Sequence, residues 1–306
     1  MPRTADAQSY PTRPLRWIVP SAAGGSPDIV ARLMAERMSE GLGQSLVIEN
    51  RPGASGNLGA EAVARAAPDG YTLLFVTSTN MINVTLYEKL DFNLIRDIAP
   101  VAGIIRVPFV MEVNPSFPPK TVPEFITYAR ANPGKINFAS AGNGTVQQVC
   151  GELFKMMTGV DMVHVPYRGA AAALTNLMSG EVQVMFDALT PGSIGYIRTG
   201  QVRALGVTTA ARSEALPDTP SIGDFVTGYE ASASGGVGVP KNTPLKIIER
   251  LNTEINAALA DPRIRARLAD LGGIALPGSP ADFATLIAED TTKWGKVVRY
   301  AGVKGE

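Results

Sequence analysis

The feature that most constrains the fold is an alternation repeated through the first 77 residues: a short apolar run, a loop of small residues, then an amphipathic stretch. Residues 15–20 (LRWIVP) read as a buried strand, and Ser21-Ala22-Ala23-Gly24-Gly25 leads from it into a helix. Ser26 is placed to cap that helix, Pro27 suits its first turn, and Asp28 puts a carboxylate near its positive end. Apolar residues at 29/30, 33/34 and 38 keep helical spacing, and Gly41 offers a stop. A strand over 45–49, an alanine-rich helix opened by Gly53-Ala54-Ser55-Gly56 and closed by Pro68-Asp69-Gly70, and a strand over 71–77 (YTLLFVT) complete the unit. Strand–helix–strand–helix–strand is the rhythm of a parallel sheet with right-handed crossovers.

Residues 91–119 read as less regular, with an apolar run over 107–113 between prolines. The rhythm then restarts. Thr121-Val122-Pro123-Glu124 is a capping-box pattern before a helix that stops at Asn132-Pro133. Strands are expected over 136–140, 162–165, 182–186 and 202–207, with helices over 145–157, 170–178 and 191–198 between them. The last third reads as mostly helical, with helices over 244–259, from Asp261-Pro262 to Gly272-Gly273, and from Ser279 onward. No fixed-period repeat is present. Two α/β units and a helical C-terminal portion point to two lobes and a cleft, and ligands of open α/β sheets gather at the carboxyl ends of strands.

Composition narrows the function. The 306 residues carry 28 Lys+Arg against 28 Asp+Glu, so there is no excess positive charge for a nucleic acid's phosphates. One histidine (His164) and one cysteine (Cys150) leave no Cys/His zinc set and no disulfide framework. The phosphate-loop, dinucleotide and nucleophile-elbow motifs are absent, and so is the calcium-loop pattern. These exclusions favour a protein that binds over one that transforms, with no cofactor and no metal. No apolar run approaches the roughly 18 residues needed to span a bilayer. Residues 1–8 (MPRTADAQ) are polar and lack a signal peptide's apolar core. Read literally that is a cytoplasmic start, but a mature chain with its export signal removed looks the same.

Four loops carry the candidate chemistry. Residues Ser21, Ala22, Ala23, Gly24 and Gly25 lie between a strand end and a helix N-terminus, where free backbone N–H groups and the helix dipole favour an anion. Small side chains let a ligand approach the backbone. A tight, conventionally capped strand–helix connection is the alternative, and Asp28 is a helix stabiliser before it is a ligand. Ser140, Gly142 and Thr145 repeat the pattern in the second unit, so two facing helix ends can grip a dianion without an arginine; Thr145 is equally a plain cap. Hydrogen bonds to an ionised group contribute about 1.5–3 kcal/mol each, and a few supply the roughly 8 kcal/mol of a micromolar binder. Thr77, Ser78 and Asn80 follow the third strand and either line the same cleft or form a simple turn. Phe186 and Asp187 end another strand, and Asp187 either accepts from a ligand or braces a loop. His164 and Cys150 read as structural.

From about residue 10 to near its end, the chain resembles the periplasmic substrate-binding receptors of tripartite tricarboxylate transporters, the Bug-type receptors. The residues that carry the likeness are Pro20-Ser21-Ala22-Ala23-Gly24-Gly25-Ser26-Pro27-Asp28, the run Asn50-Arg51-Pro52-Gly53-Ala54-Ser55-Gly56-Asn57-Leu58-Gly59, and Pro68-Asp69-Gly70-Tyr71-Thr72. Further on come Val165-Pro166-Tyr167-Arg168-Gly169 and Pro217-Asp218-Thr219-Pro220-Ser221. The resemblance implies a hinge-closing receptor, exported to the periplasm, that delivers small carboxylates to a membrane permease. It also implies that the first-loop backbone and ordered water hold one carboxylate while second-lobe loops read the rest. Three departures bear on specificity: Gln148 stands where many relatives carry His, Ala172 replaces a common Pro, and Ser234-Gly235 occupies the place of an aromatic pair, which should enlarge the pocket.

The combined expectation is an α/β protein of two-lobed periplasmic-binding-protein (Venus flytrap) architecture, each lobe a mainly parallel sheet flanked by helices. Lobe 1 comprises residues 1–103 plus 229–306 and lobe 2 residues 104–228, with the ligand cleft between them. The expected ligand is a small organic carboxylate, a dicarboxylate or a larger organic acid, bound by a monomeric non-enzyme. Two readings compete with delivery to a permease: a ligand-responsive receptor presenting to a sensor protein, and an α/β hydrolase-like enzyme using Asp187 and a water.

Overall fold

The computed structural model describes residues 10–87 and 89–305; the polar leader of residues 1–8 lies outside them. The first unit forms β1 (Leu15–Val19), α1 (Ser26–Leu42), β2 (Leu46–Asn50), α2 (Asn57–Ala64), β3 (Thr72–Thr77), α3 (Ser78–Leu86) and the short α4 (Leu94–Asp97). β1 lies between β2 and β3, parallel to both, as the alternation requires. α1 runs past Gly41 and stops where Gly43 takes a left-handed conformation. Gly41 is instead a contact residue, because a Cβ there would collide with the Glu254 carboxylate.

The segment expected to be irregular is the longest strand of the molecule, β4 (Ile98–Val113). It is followed by α5 (Val122–Ala131), β5 (Ile136–Ser140), α6 (Val146–Thr158), β6 (Met162–Pro166), α7 (Ala170–Ser179), β7 (Val184–Ala188), α8 (Pro191–Arg198) and β8 (Arg203–Val207). The C-terminal third holds α9 (Leu245–Ala260), α10 (Pro262–Asp270), the two-residue β10 (Ile274–Ala275) and α11 (Pro280–Ala301). It also holds a strand that the helical reading missed, β9 (Ser232–Pro240). Its sequence, SASGGVGVP, lacks the bulky alternation that marks a strand, for a packing reason. A Cβ at Gly236 would lie 2.4 Å from the Ala102 carbonyl oxygen and 2.4 Å from the Phe283 ring.

Two sheets share β4. Its first part, from Ile98 to Pro108, pairs antiparallel with β9, which in turn pairs antiparallel with β3. From Phe109 to Val113 the same strand pairs antiparallel with β7, and β8 covers its other flank. β5 lies parallel to both β6 and β7. The expected parallel pairs are therefore present in both sheets, and the antiparallel ladders of β4 and β9 make each sheet mixed. At the changeover, the Thr208 hydroxyl accepts from the Phe109 N–H at 2.9 Å and donates to the Ala231 carbonyl at 2.7 Å. α11 packs on both α3 and α6, burying Phe283, Ile287, Trp294, Val297 and Val298.

Candidate functional site

A cleft of about 490 Å³ opens where the two sheets meet at β4. The β1–α1 loop contributes Pro20 and Ser21, and the start of α1 contributes Ser26, Pro27 and Val30; the loop before α2 contributes Pro52, Gly53, Ser55 and Gly56; β3 and the start of α3 contribute Phe75, Thr77, Ser78 and Thr79. β4 adds Ile105, Val107 and Phe109, β9 adds Ala233, Ser234 and Gly235, and the facing unit adds Val146 and Ala188. None of the lining side chains is ionisable.

The β1–α1 loop is held by Asp28 from within the first turn of α1. Ser26 does not cap: the N-cap is Gly25, and no side chain accepts there. Instead the buried Asp28 carboxylate accepts from the Gly24 N–H at 2.9 Å, from Arg32 Nε at 3.0 Å and from Asn50 Nδ2 at 3.0 Å. Asn50 Nδ2 also donates to the Ser21 carbonyl at 3.1 Å, tying the loop to the end of β2. The Arg32 guanidinium, then the Gly24 amide and Asn50, hold the Asp28 carboxyl below its usual range against the opposing effect of burial. Asp28 is thus a brace whose charge is spent on the loop. The Ala23 amide, by contrast, meets no acceptor among the described residues.

Beside this loop a second helix start, α3, faces the cleft. Thr77 caps it reciprocally with Asn80: the Thr77 oxygen accepts from the Asn80 N–H, and Asn80 Oδ1 accepts from the Thr77 N–H at 3.0 Å. Thr77 thus caps α3 and also lines the cleft. The Ser78 hydroxyl accepts from the Ser234 N–H at 2.7 Å and joins the two segments across the sheet. Two hydroxyls on the cleft wall, Ser21 Oγ and Ser234 Oγ, are buried and have no partner among the described residues. Asn80 Nδ2 is likewise buried and unpaired, and it lies 3.6 Å from where a Gly56 Cβ would stand. Gly56 itself has φ +86° and would place that Cβ 2.9 Å from the Pro20 carbonyl oxygen, so the loop floor tolerates no side chain there.

The second unit is organised differently. Three of its loop amides are taken: Ala141 N–H donates to Gln147 Oε1 at 2.6 Å, Gly142 N–H to Ser140 Oγ at 3.1 Å, and Gly144 N–H to Gln148 Oε1 at 2.7 Å; the Asn143 amide meets no acceptor among the described residues. Thr145 caps α6 and donates to the Gly142 carbonyl at 2.8 Å. Gln148 Nε2 donates to His164 Nδ1 at 3.1 Å, which fixes the proton on His164 Nε2, 2.6 Å from Ser140 Oγ. Burial, assisted by Lys155, brings the His164 pKa down to about 4, so the ring is neutral. Asp187 accepts from Gln147 Nε2 at 2.7 Å and is raised by burial despite that bond and the Ala188 amide. Phe186 is fully buried and packs on Phe154, with ring centres 5.8 Å apart.

Of the sequence candidates, then, Ser21, Thr77, Ser78 and Ser234 line the cleft, with Ala22, Ala23, Gly24 and Gly25 forming the loop beside it. Ser140, Gly142, Thr145, Gln148 and Asp187 form one internally bonded network behind the opposite wall, and Phe186 faces the core. The space left by the missing aromatic pair is partly refilled: a Cβ at Gly235 would lie 2.8 Å from the Phe75 ring. Sequence reasoning missed the apolar lining from β3 and β4, the Pro52–Gly56 wall and the role of Gln147; the Asn50–Gly59 run, read only as a carrier of the family resemblance, spans that wall. Cys150 is fully buried, which pushes its thiol up. No three His, Cys, Asp or Glu side chains come together among the described residues.

Residues 30–303 match the family model described as "Tripartite tricarboxylate transporter family receptor". Protein BugT of Bordetella pertussis is 34% identical, over 97% of this chain and 92% of its own length. Among solved structures, R. palustris Rpa4515 with adipate superposes with a TM-score of 0.81 at 37% identity, covering 96% of this chain and 99% of that one. MatC from Rhodopseudomonas palustris with bound malate gives 0.78 at 34% identity, covering 94% and 100%.

Proposed function

The chain belongs to the tripartite tricarboxylate transporter receptor family and has its two-lobed periplasmic-binding-protein architecture, and from that premise we propose that the cleft captures a small organic carboxylate for delivery to a membrane permease. The observation that carries this is the first-unit wall. Two buried, unpartnered hydroxyls, Ser21 and Ser234, stand beside the N-termini of α1 and α3. Helix ends and hydroxyl donors stabilise an anion without a basic side chain. The relatives solved with adipate and malate make an acid the natural ligand class.

In this reading Ser21, Ala22, Ala23, Gly24 and Gly25 supply the first contacts, with Thr77, Ser78 and Ser234 completing them. Residues 1–103 with 229–306 form one lobe and 104–228 the other, and they close over the ligand about the region where β4 changes partners. The protein works in the periplasm and binds its ligand without turning it over; Asp187, bonded to Gln147 behind the wall, is a brace and not a base. No helix among the described residues is long and apolar enough to cross a membrane.

The test is a thermal-shift and calorimetry screen against mono-, di-, tri- and aromatic carboxylates. A ligand at 100 times Kd adds about 2.7 kcal/mol to stability, a readily measured rise in Tm. Absence of a shift with every acid in such a screen refutes the proposal.

A further inference from the structure

The cleft is polar at one end only, and we infer that its ligand is a one-ended acid: a single carboxylate carried on a sizeable apolar body. This inference rests on the carboxylate reading above and narrows it. The unpaired hydroxyls that line the cleft both belong to the first unit, where Ser234 is 5% exposed and Ser21 Oγ is buried, and neither has a partner among the described residues. The opposite wall presents Val107, Phe109, Val146 and Ala188.

Behind that wall the side chains of Gln147, Gln148, Asp187 and His164 are engaged within the second unit. Gln147 is spent at both ends, between the Ala141 N–H and Asp187, and Gln148 between the Gly144 N–H and His164. His164 is neutral, and no lysine or arginine lines the cleft. A second carboxylate pressed on this surface loses its water and gains neither partner nor counter-charge, which is prohibitive for an ion. An apolar body of matching size gains from the same burial in proportion to its area. The volume, about 490 Å³, lies in the range of roughly 300–1,000 Å³ that holds drug-sized ligands, far more than a four-carbon diacid fills.

The experiment is calorimetric titration of the full chain with 2-naphthoate and octanoate as one-ended acids, and with adipate and malate as two-ended ones. The expected result is at least a tenfold lower Kd for one of the one-ended acids than for adipate. Adipate or malate binding as tightly or more tightly overturns the one-ended reading and leaves the carboxylate reading intact. If none of these nor any acid of the wider screen binds, the carboxylate reading itself falls. Val107→Asn, checked for an unchanged circular-dichroism spectrum, is expected to weaken the preferred one-ended acid about tenfold and adipate by less than twofold. Val146→Ser, at the start of α6, tests the same wall should the first variant fail to fold. Equal losses for both acid types in the folded variant overturn the assignment of the apolar wall.

Discussion

Asp28→Asn tests the claim that one buried carboxylate shapes the ligand loop. The substitution keeps the size of the side chain and removes its charge. In the native loop the two carboxylate oxygens receive the Gly24 N–H, Asn50 Nδ2 and Arg32. An asparagine has one acceptor oxygen, so its amide nitrogen must face either Gly24 N–H or Asn50 Nδ2, donor against donor. The Gly24 and Asn50 donors are only partly buried, so leaving one unmet falls at the low end of the penalty, and with the charge assistance lost at the surviving bond the expected destabilisation is about 1–3 kcal/mol. Because the Asp28 pKa is lowered from 3.8 in the fold, its ionised form stabilises the protein fully above that value. The contribution disappears as pH falls through the lower, folded pKa. Equilibrium urea unfolding at pH 7 should therefore separate wild type from variant, and the gap should narrow below about pH 3.8. Titration with the tightest acid of the screen should show at least a tenfold weaker Kd, because the Gly24–Ser21 segment is no longer held. An unchanged unfolding midpoint and an unchanged Kd together refute the bracing role.

Two further perturbations have clear signs. Gly56→Ala forces a side chain into a left-handed conformation, at about 1–2 kcal/mol, and against the Pro20 carbonyl, at about 1–3 kcal/mol of overpacking; urea unfolding should show the loss, and wild-type stability would mean the cleft floor is soft. Glu112 on β4 is fully buried, and neither carboxylate oxygen has a partner among the described residues. Burial and the nearby Asp187 charge raise its pKa well above 4.5, so its ionisation opposes folding as pH rises from about 4.5 through the folded value. Glu112→Leu should raise stability at pH 7 by about 1–3 kcal/mol and remove that part of the pH dependence, read as Tm against pH; a Tm lower than wild type at pH 7 contradicts it.

How much of this was legible in the sequence depends on which signals are local. The outer strands and their helices announce themselves through caps and periodicity: α5, α8 and α11 begin where Thr121, Thr190 and Ser279 accept from the third N–H of the helix. β4 and β9 did not. β4 is buried along nearly its whole length, so it lacks a polar alternation, and β9 trades side chains for close approach to its neighbours. These are tertiary reasons, invisible in a window of ten residues. The same holds for the site. The β1–α1 and β3–α3 loops were legible because a strand end followed by a helix start is a local pattern with a local consequence. The second-unit loop carries the same pattern, yet its Ala141 and Gly144 amides are satisfied by Gln147 and Gln148 from the helix it precedes. Small residues at a helix start predict free N–H groups only when no following side chain folds back onto them.

That difference underlies the one-ended reading proposed for a chain with equal numbers of acids and bases. Both units present a helix start toward the cleft, so a dipole argument alone treats them as equivalent and predicts a grip on both ends of a dianion. Hydrogen-bond saturation breaks the equivalence. On one side Asp28 holds the loop from behind, and the Ala23 amide and the buried Ser21 and Ser234 hydroxyls have no partners among the described residues. On the other, two glutamines close the loop on itself and hand the cleft surface to Val146, Ala188 and the side chains of β4. In the one-ended reading proposed above, selectivity comes from which donors are left over once the fold has satisfied its own, and Gln147 and Gln148 at the start of α6 contribute to it.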